Sequence, residues 1–172
     1  MEAVVEKLEA VFNDIAQTRM AGLPICNPAL RVQVVGLREW QGRKVGVLVT
    51  PWTISMVLLA GEAAPLKAMQ PEEKMYWDFP SGKYEFMGLN EAELGTCQIC
   101  SLISPVSNIA SQADAVNVAE QVMAALFVLK PAEPKQNDEH ETMLKNAQPM
   151  SEPAVKKPLS RRDFLRGAFL EK

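Results

Sequence analysis

Apolar Val4, Leu8, Val11, Phe12 and Ile15 recur at steps of three and four, with Glu2, Glu6, Lys7, Glu9 and Asp14 between them. That spacing gathers one apolar stripe on an amphipathic helix within residues 1–20. A glycine and two prolines in "AGLPICNPAL" end it. From Arg31 the period drops to two. "RVQVVGLREW" and "KVGVLVT" are rich in β-branched residues, and "QGR" between them predicts a tight hairpin. Pro51 has no N–H to give a ladder, so it marks a bend, after which "TISMVLLA" predicts a third strand. "APLKAMQPEE" predicts a loop with a short helical turn. "KMYWDF" and "KYEFMG" flank "PSG", a second hairpin, and "NEAELG" leads into a strand through "CQICSLIS". Ser111 followed by Asp114 has the form of a capping box. It opens a helix through Ala115, Val118, Ala119, Val122, Met123, Leu126 and Phe127 to about Leu129.

The order is helix, about six mostly antiparallel strands, helix. It predicts a single α+β domain over residues 1–130, with an N-terminal and a C-terminal helix packed on the sheet. The short hairpin links favour both helices on one face. After residue 130 the composition shifts. Residues 131–158 hold five prolines, no aromatic residue and few large aliphatics. Such a stretch buries too little apolar area to offset an ordering cost of roughly 1–2 kcal/mol per residue. It predicts a disordered tether, with at most a marginal helical turn around Met143. Residues 159–172, "LSRRDFLRGAFLEK", form a flexible tail segment that is basic and amphipathic.

Charge narrows the function classes. Residues 1–130 carry 10 Lys/Arg against 14 Asp/Glu, whereas residues 131–172 carry 8 against 7. An acidic body argues against nucleic-acid binding, which needs a basic face. No apolar run approaches the roughly 18–20 residues of a membrane span, so no membrane insertion is expected. Three cysteines, an odd number, do not form a disulfide framework, and a cytoplasmic location is expected.

Candidate chemistry is sparse. Cys97 and Cys100 make a C-x-x-C, the spacing of a redox pair or of half a zinc site. A zinc site needs four ligands, and only Cys26 and His140 remain, the latter in the tether. In a strand, positions three apart also point to opposite faces, so buried strand cysteines are the reading favoured over metal or redox use. His140, the lone histidine, lies among acidic residues of the tether, which all but excludes a Ser-His-Asp site. No G-x-G-x-x-G or Walker-type glycine loop occurs. No enzyme, metal or cofactor is expected. Thr50-Pro51-Trp52 suits recognition, because a tryptophan placed after a strand-breaking proline can anchor a partner. A core tryptophan capping the sheet is an equal alternative.

Four blocks carry a family likeness: "NPALRVQVVGL", "GVLVTPWTISMVLLAG", "FPSGKYEFMG" and "CQICSLISPV". In this order and spacing, over about residues 5–130, they resemble the HybE/HupJ family of nickel–iron hydrogenase assembly chaperones. Matching positions include Thr50, Pro51, Trp52, Pro80, Gly82, Cys100, Ser101, Leu102, Ser104 and Pro105. The resemblance implies a non-enzymatic accessory chaperone of hydrogenase maturation. Its partners would be the small-subunit precursor, with its twin-arginine signal, and/or the large-subunit precursor, held before export. A thiol- or metal-handling protein using Cys97 and Cys100, or a plain scaffold, stands as the alternative.

The tail bears on this. Ser160-Arg161-Arg162-Asp163-Phe164-Leu165-Arg166 spells a twin-arginine export signature, yet only six residues follow it, too few for the apolar segment that export needs. Three readings stay open: a basic tail matching by chance, a short helix docking its Phe164, Leu165, Ala168 and Phe169 stripe, or a mimic of the client's signal. About 28 flexible residues span roughly 30 Å, enough to reach most of a domain this size. The candidate partner-binding residues are therefore Thr50, Pro51, Trp52, Arg161, Arg162, Phe164 and Leu165.

Overall fold

The computed structural model describes residues 1–129, so the tether, His140 and the tail with Arg161, Arg162, Phe164 and Leu165 lie outside the described residues. The described elements are α1 (Glu2–Gln17), β1 (Gln33–Trp40), β2 (Arg43–Val49), β3 (Ile54–Leu59), β4 (Lys74–Phe79), β5 (Gly82–Glu91), β6 (Gly95–Ile103) and α2 (Gln112–Leu126). The six strands form one sheet in the order β1-β2-β3-β6-β5-β4, antiparallel throughout. Two three-stranded meanders are thus joined along β3 and β6, and the β3–β4 connection carries the chain to the far edge.

Local chemistry explains the hairpins. Trp40 pairs with Arg43 across Gln41 (φ 48°) and Gly42 (φ 73°), two left-handed residues in succession as a type I′ turn requires. Phe79 pairs with Gly82 across Pro80-Ser81. Thr50 and Thr53 close the β2–β3 link around Pro51-Trp52, so Pro51 sits at the bend where its missing N–H costs no ladder bond. Ser111 caps α2, its Oγ accepting from the Asp114 N–H at 3.2 Å. Residues 60–73 hold only a turn at Pro71-Glu72, fastened by Glu73 N–H to the Gln70 carbonyl, and lack the expected helical turn. Prolines at 65 and 71 leave too short a run between them to nucleate one.

The helices lie on opposite faces of the sheet, which corrects the one-face expectation. Leu8, Val11, Phe12 and Ile15 of α1 pack with Leu48, Val57, Leu59 and Cys97. Ala115, Ala119, Val122, Met123 and Leu126 of α2 pack with Val45, Val47, Val49, Met56, Leu58 and Cys100. Those strand residues alternate along β2 and β3, as the period of two demands. Both strands are therefore almost wholly buried, which is why they read as nearly unbroken apolar runs.

The sheet also curls toward α2. In a flat sheet the edge strands β1 and β4 would stand about 24 Å apart. Yet the Trp40 ring stacks on Phe79 at 4.0 Å and meets Trp77 edge-on at 5.9 Å. Arg38 lies 3.9 Å over the Phe127 ring and Arg43 lies 4.7 Å over Trp77, so cationic side chains line the aromatic seam. At Gly36 (φ 66°) two residues of β1 face one of β2, a bulge that increases strand twist.

Candidate partner-binding site

Thr50, Pro51 and Trp52 sit at one end of the sheet, where three segments meet. Thr50 is fully buried, and its hydroxyl donates to the Thr53 carbonyl at 2.9 Å while accepting the Thr53 N–H at 3.0 Å. It therefore fixes the turn from inside. The Thr53 hydroxyl donates to the Ile103 carbonyl at 2.9 Å and lies 3.3 Å from Ser101 Oγ, coupling the turn to β6. Trp52 is half-buried, packing one side against the α1 cluster. Trp52 thus covers the sheet end and keeps a solvent-facing part.

Asn27 binds the segments together. Its backbone N–H donates to the Pro51 carbonyl at 2.7 Å. Its side-chain amide donates to the carbonyls of Val106 (3.1 Å) and Ile109 (2.8 Å), and its Oδ1 accepts the Ala29 N–H at 3.0 Å. One residue thereby ties the 20–30 loop, the Thr50–Thr53 turn and the 104–110 segment into a rigid platform. Sequence reasoning placed Asn27 at the start of a family-like block without giving it a role. Asn27-Pro28 is a turn-forming dipeptide, which announces the bend but not the side-chain bonds. The same loop, joined to that turn through Asn27, exposes Leu23 (43%) and Ile25 (42%), large apolar side chains. Exposed apolar side chains on an ordered loop are a feature that protein-binding surfaces share.

The cysteines do not make a second site. Cys97 faces the α1 cluster and pairs with Leu59, whereas Cys100 faces the α2 cluster and pairs with Met56. The two thiols stand on opposite sides of the sheet, so the C-x-x-C cannot close on itself or on a shared ion. Burial, and then the neighbouring Glu91 carboxylate, push the Cys97 thiol up to about 11, away from the reactive thiolate. Its Sγ donates to the Leu89 carbonyl at 3.3 Å. Among the described residues no group of His, Cys, Asp and Glu is placed to hold a metal ion. An open groove of about 480 Å³ between Arg31 and Gln33 on one side and Gln112 and Glu120 on the other is already bridged by Gln112, which accepts the Arg31 N–H.

No described helix is long and apolar enough to cross a membrane.

The family model described as "[NiFe]-hydrogenase assembly, chaperone, HybE" matches residues 3–167. The "Hydrogenase expression/formation protein HupJ" of Bradyrhizobium diazoefficiens is 34% identical over 165 residues, covering 96% of this chain and 88% of that protein. The "Probable rubredoxin HupJ" of Rhodobacter capsulatus is 35% identical over 127 residues, covering 74% of this chain, and the chain spans only 46% of that protein. Among solved structures, the solution structure of HybE from Escherichia coli aligns with a TM-score of 0.59 at 23% identity, covering 86% of this chain and 91% of that one. That likeness shows the shared fold: two helices on an open six-stranded antiparallel sheet.

Proposed function

We infer that this chain, which belongs to the HybE family of nickel–iron hydrogenase assembly chaperones, binds precursor subunits of such an enzyme and holds them until assembly is complete. Its clients are the small-subunit precursor, through the mature body or its twin-arginine signal, and/or the large-subunit precursor, met in the cytoplasm before export. The observation that carries this reading is the rigid platform at residues 23–27 and 50–53. There half-buried Trp52 and the exposed Leu23 and Ile25 sit on two segments that Asn27 pins together. A preorganised apolar anchor loses little entropy on binding, which is what a client-capturing surface needs. In this role Pro51 and Trp52 touch the client, and buried Thr50 holds them in place.

The tail contributes a second contact. The family match runs to residue 167 and so spans the segment that holds Arg161, Arg162, Phe164 and Leu165. Two guanidinium groups beside two apolar side chains suit an acidic-rimmed apolar patch on a client. The thiol-handling alternative loses its basis, since Cys97 and Cys100 face away from each other.

Co-purification of the tagged full-length chain with each hydrogenase precursor, with and without the small subunit's signal peptide, tests the proposal. Recovery of at least one precursor is expected, reduced by Trp52→Ala or by deleting residues 159–172. Recovery of neither precursor would overturn it, and recovery unaffected by both changes would leave a plain scaffold.

A further inference from the structure

The two edges of the sheet are treated differently. On β1 the Val34 N–H is taken by the Glu9 carboxylate of α1 at 2.8 Å, and the Gly36 bulge breaks the ladder. Both devices blunt an edge against pairing. On β4, no other described element hydrogen-bonds to the backbone of Lys74 to Asp78 beyond the partner strand β5. The two-residue hairpin closes on Phe79 and Gly82. The bonds to β5 therefore alternate through Phe79, Trp77 and Met75, and the backbone groups of Asp78, Tyr76 and Lys74 point outward. Tyr76 is 54% exposed on this edge.

The outward pattern is complementary to itself. An antiparallel two-fold pairing centred on Tyr76 sets Lys74 opposite Asp78 of the other copy, Tyr76 opposite Tyr76, and Met75 opposite Trp77. Within one chain, Asp78 already pairs with Lys83 at 3.6 Å and Lys74 with Glu85 at 3.1 Å. Across the joined edges the charges would then run Lys83, Asp78, Lys74, Glu85, alternating in sign from one sheet into the next. On the opposite face Met75 would come opposite Trp77 of the other copy, whose ring stays packed on Trp40 and Arg43 of its own chain. Either end of the strand, aligned in parallel, would instead place like charges side by side.

We propose that β4 is a homotypic docking edge, through which two copies of this chain join their sheets antiparallel about Tyr76. A single strand pair buries less than the roughly 1,200–2,000 Å² of a standard stable interface, so the association is reversible and rises with concentration. The C2 geometry is closed, which limits the growth that an open edge otherwise invites.

Sedimentation equilibrium of the full-length chain, from micromolar to near-millimolar concentration, is the test. The mass is expected to climb from 19.0 kDa toward twice that value. Lys74→Asp or Asp78→Lys alone sets like charges opposite each other and is expected to weaken association by about tenfold or more. The two together restore the cross-copy pairs and recover it, with melting curves confirming that each variant is folded. Amide exchange at Lys74, Tyr76 and Asp78 is expected to slow with concentration in step. A chain that stays at 19.0 kDa throughout, or single swaps that leave association unchanged, would overturn the proposal. Protection of β4 appearing only when a hydrogenase precursor is added would do so too, in favour of a client strand on that edge.

Discussion

At the scale of single residues, backbone shape and burial make sharp demands. Gly36 has φ 66°, and a Cβ there would lie 2.8 Å from Met123 Cγ. Gly36→Ala is expected to destabilise the domain by about 1–3 kcal/mol, read from a denaturant midpoint, because it strains the bulge and displaces α2. Cys97 sets a pH signature. Its thiol is raised from an ordinary 9.0 to about 11, so below about 9 both folded and unfolded forms are neutral and stability is untouched. As pH rises from about 9 to 11 the unfolded thiol ionises first and stability falls. Cys97→Ala is expected to show a shallower loss of stability across that window. Much of this was legible: the period of a strand already separates Cys97 from Cys100. The role of Asn27 was not, because its side-chain partners Val106 and Ile109 lie about eighty positions away, and nothing local announces such bonds.

Elements were legible wherever a local rule fixes them. Ser111 and Asp114 announced the start of α2, and Ser111→Ala is expected to cost about 1 kcal/mol by thermal or chemical unfolding, with the sheet intact. "QGR" and "PSG" mark both two-residue hairpins: Gln41 and Gly42 take the left-handed angles of one, and Pro80 presets its own φ in the other. The bulge in β1 has one local mark, a glycine within a strand. The connection over residues 60–73 misled in the other direction. Its sequence predicts a short helical turn, yet its Leu66 and Met69 are buried from an irregular segment. Met69 has its carbonyl bonded by the Asn90 side chain and its sulfur contacted by Gln98, long-range contacts that override a weak local preference.

For the whole molecule, the α+β class with six antiparallel strands followed from the order of elements, but their arrangement in space did not. Short links argue for neighbouring strands; they are silent on which face a terminal helix takes. The cue lay in β2 and β3, whose nearly unbroken apolar runs require cover on both sides, one from α1 and one from α2. The curl that brings Trp40 onto Phe79 had no sequence signal, since it depends on six strands' accumulated twist and a bulge. With both broad faces of β2 and β3 occupied, the turn at residues 50–53 is left at the sheet's end, pinned on three sides and presenting Trp52. The account's central claim is that this platform captures hydrogenase precursors. The most direct measurement is the affinity of the full-length chain for a purified precursor subunit, compared with Trp52→Ala under conditions where both melt cooperatively. A well-placed aromatic anchor contributes about 2 kcal/mol or more, so the account predicts binding weakened by roughly 30-fold or more. Equal affinity in the two proteins would contradict it.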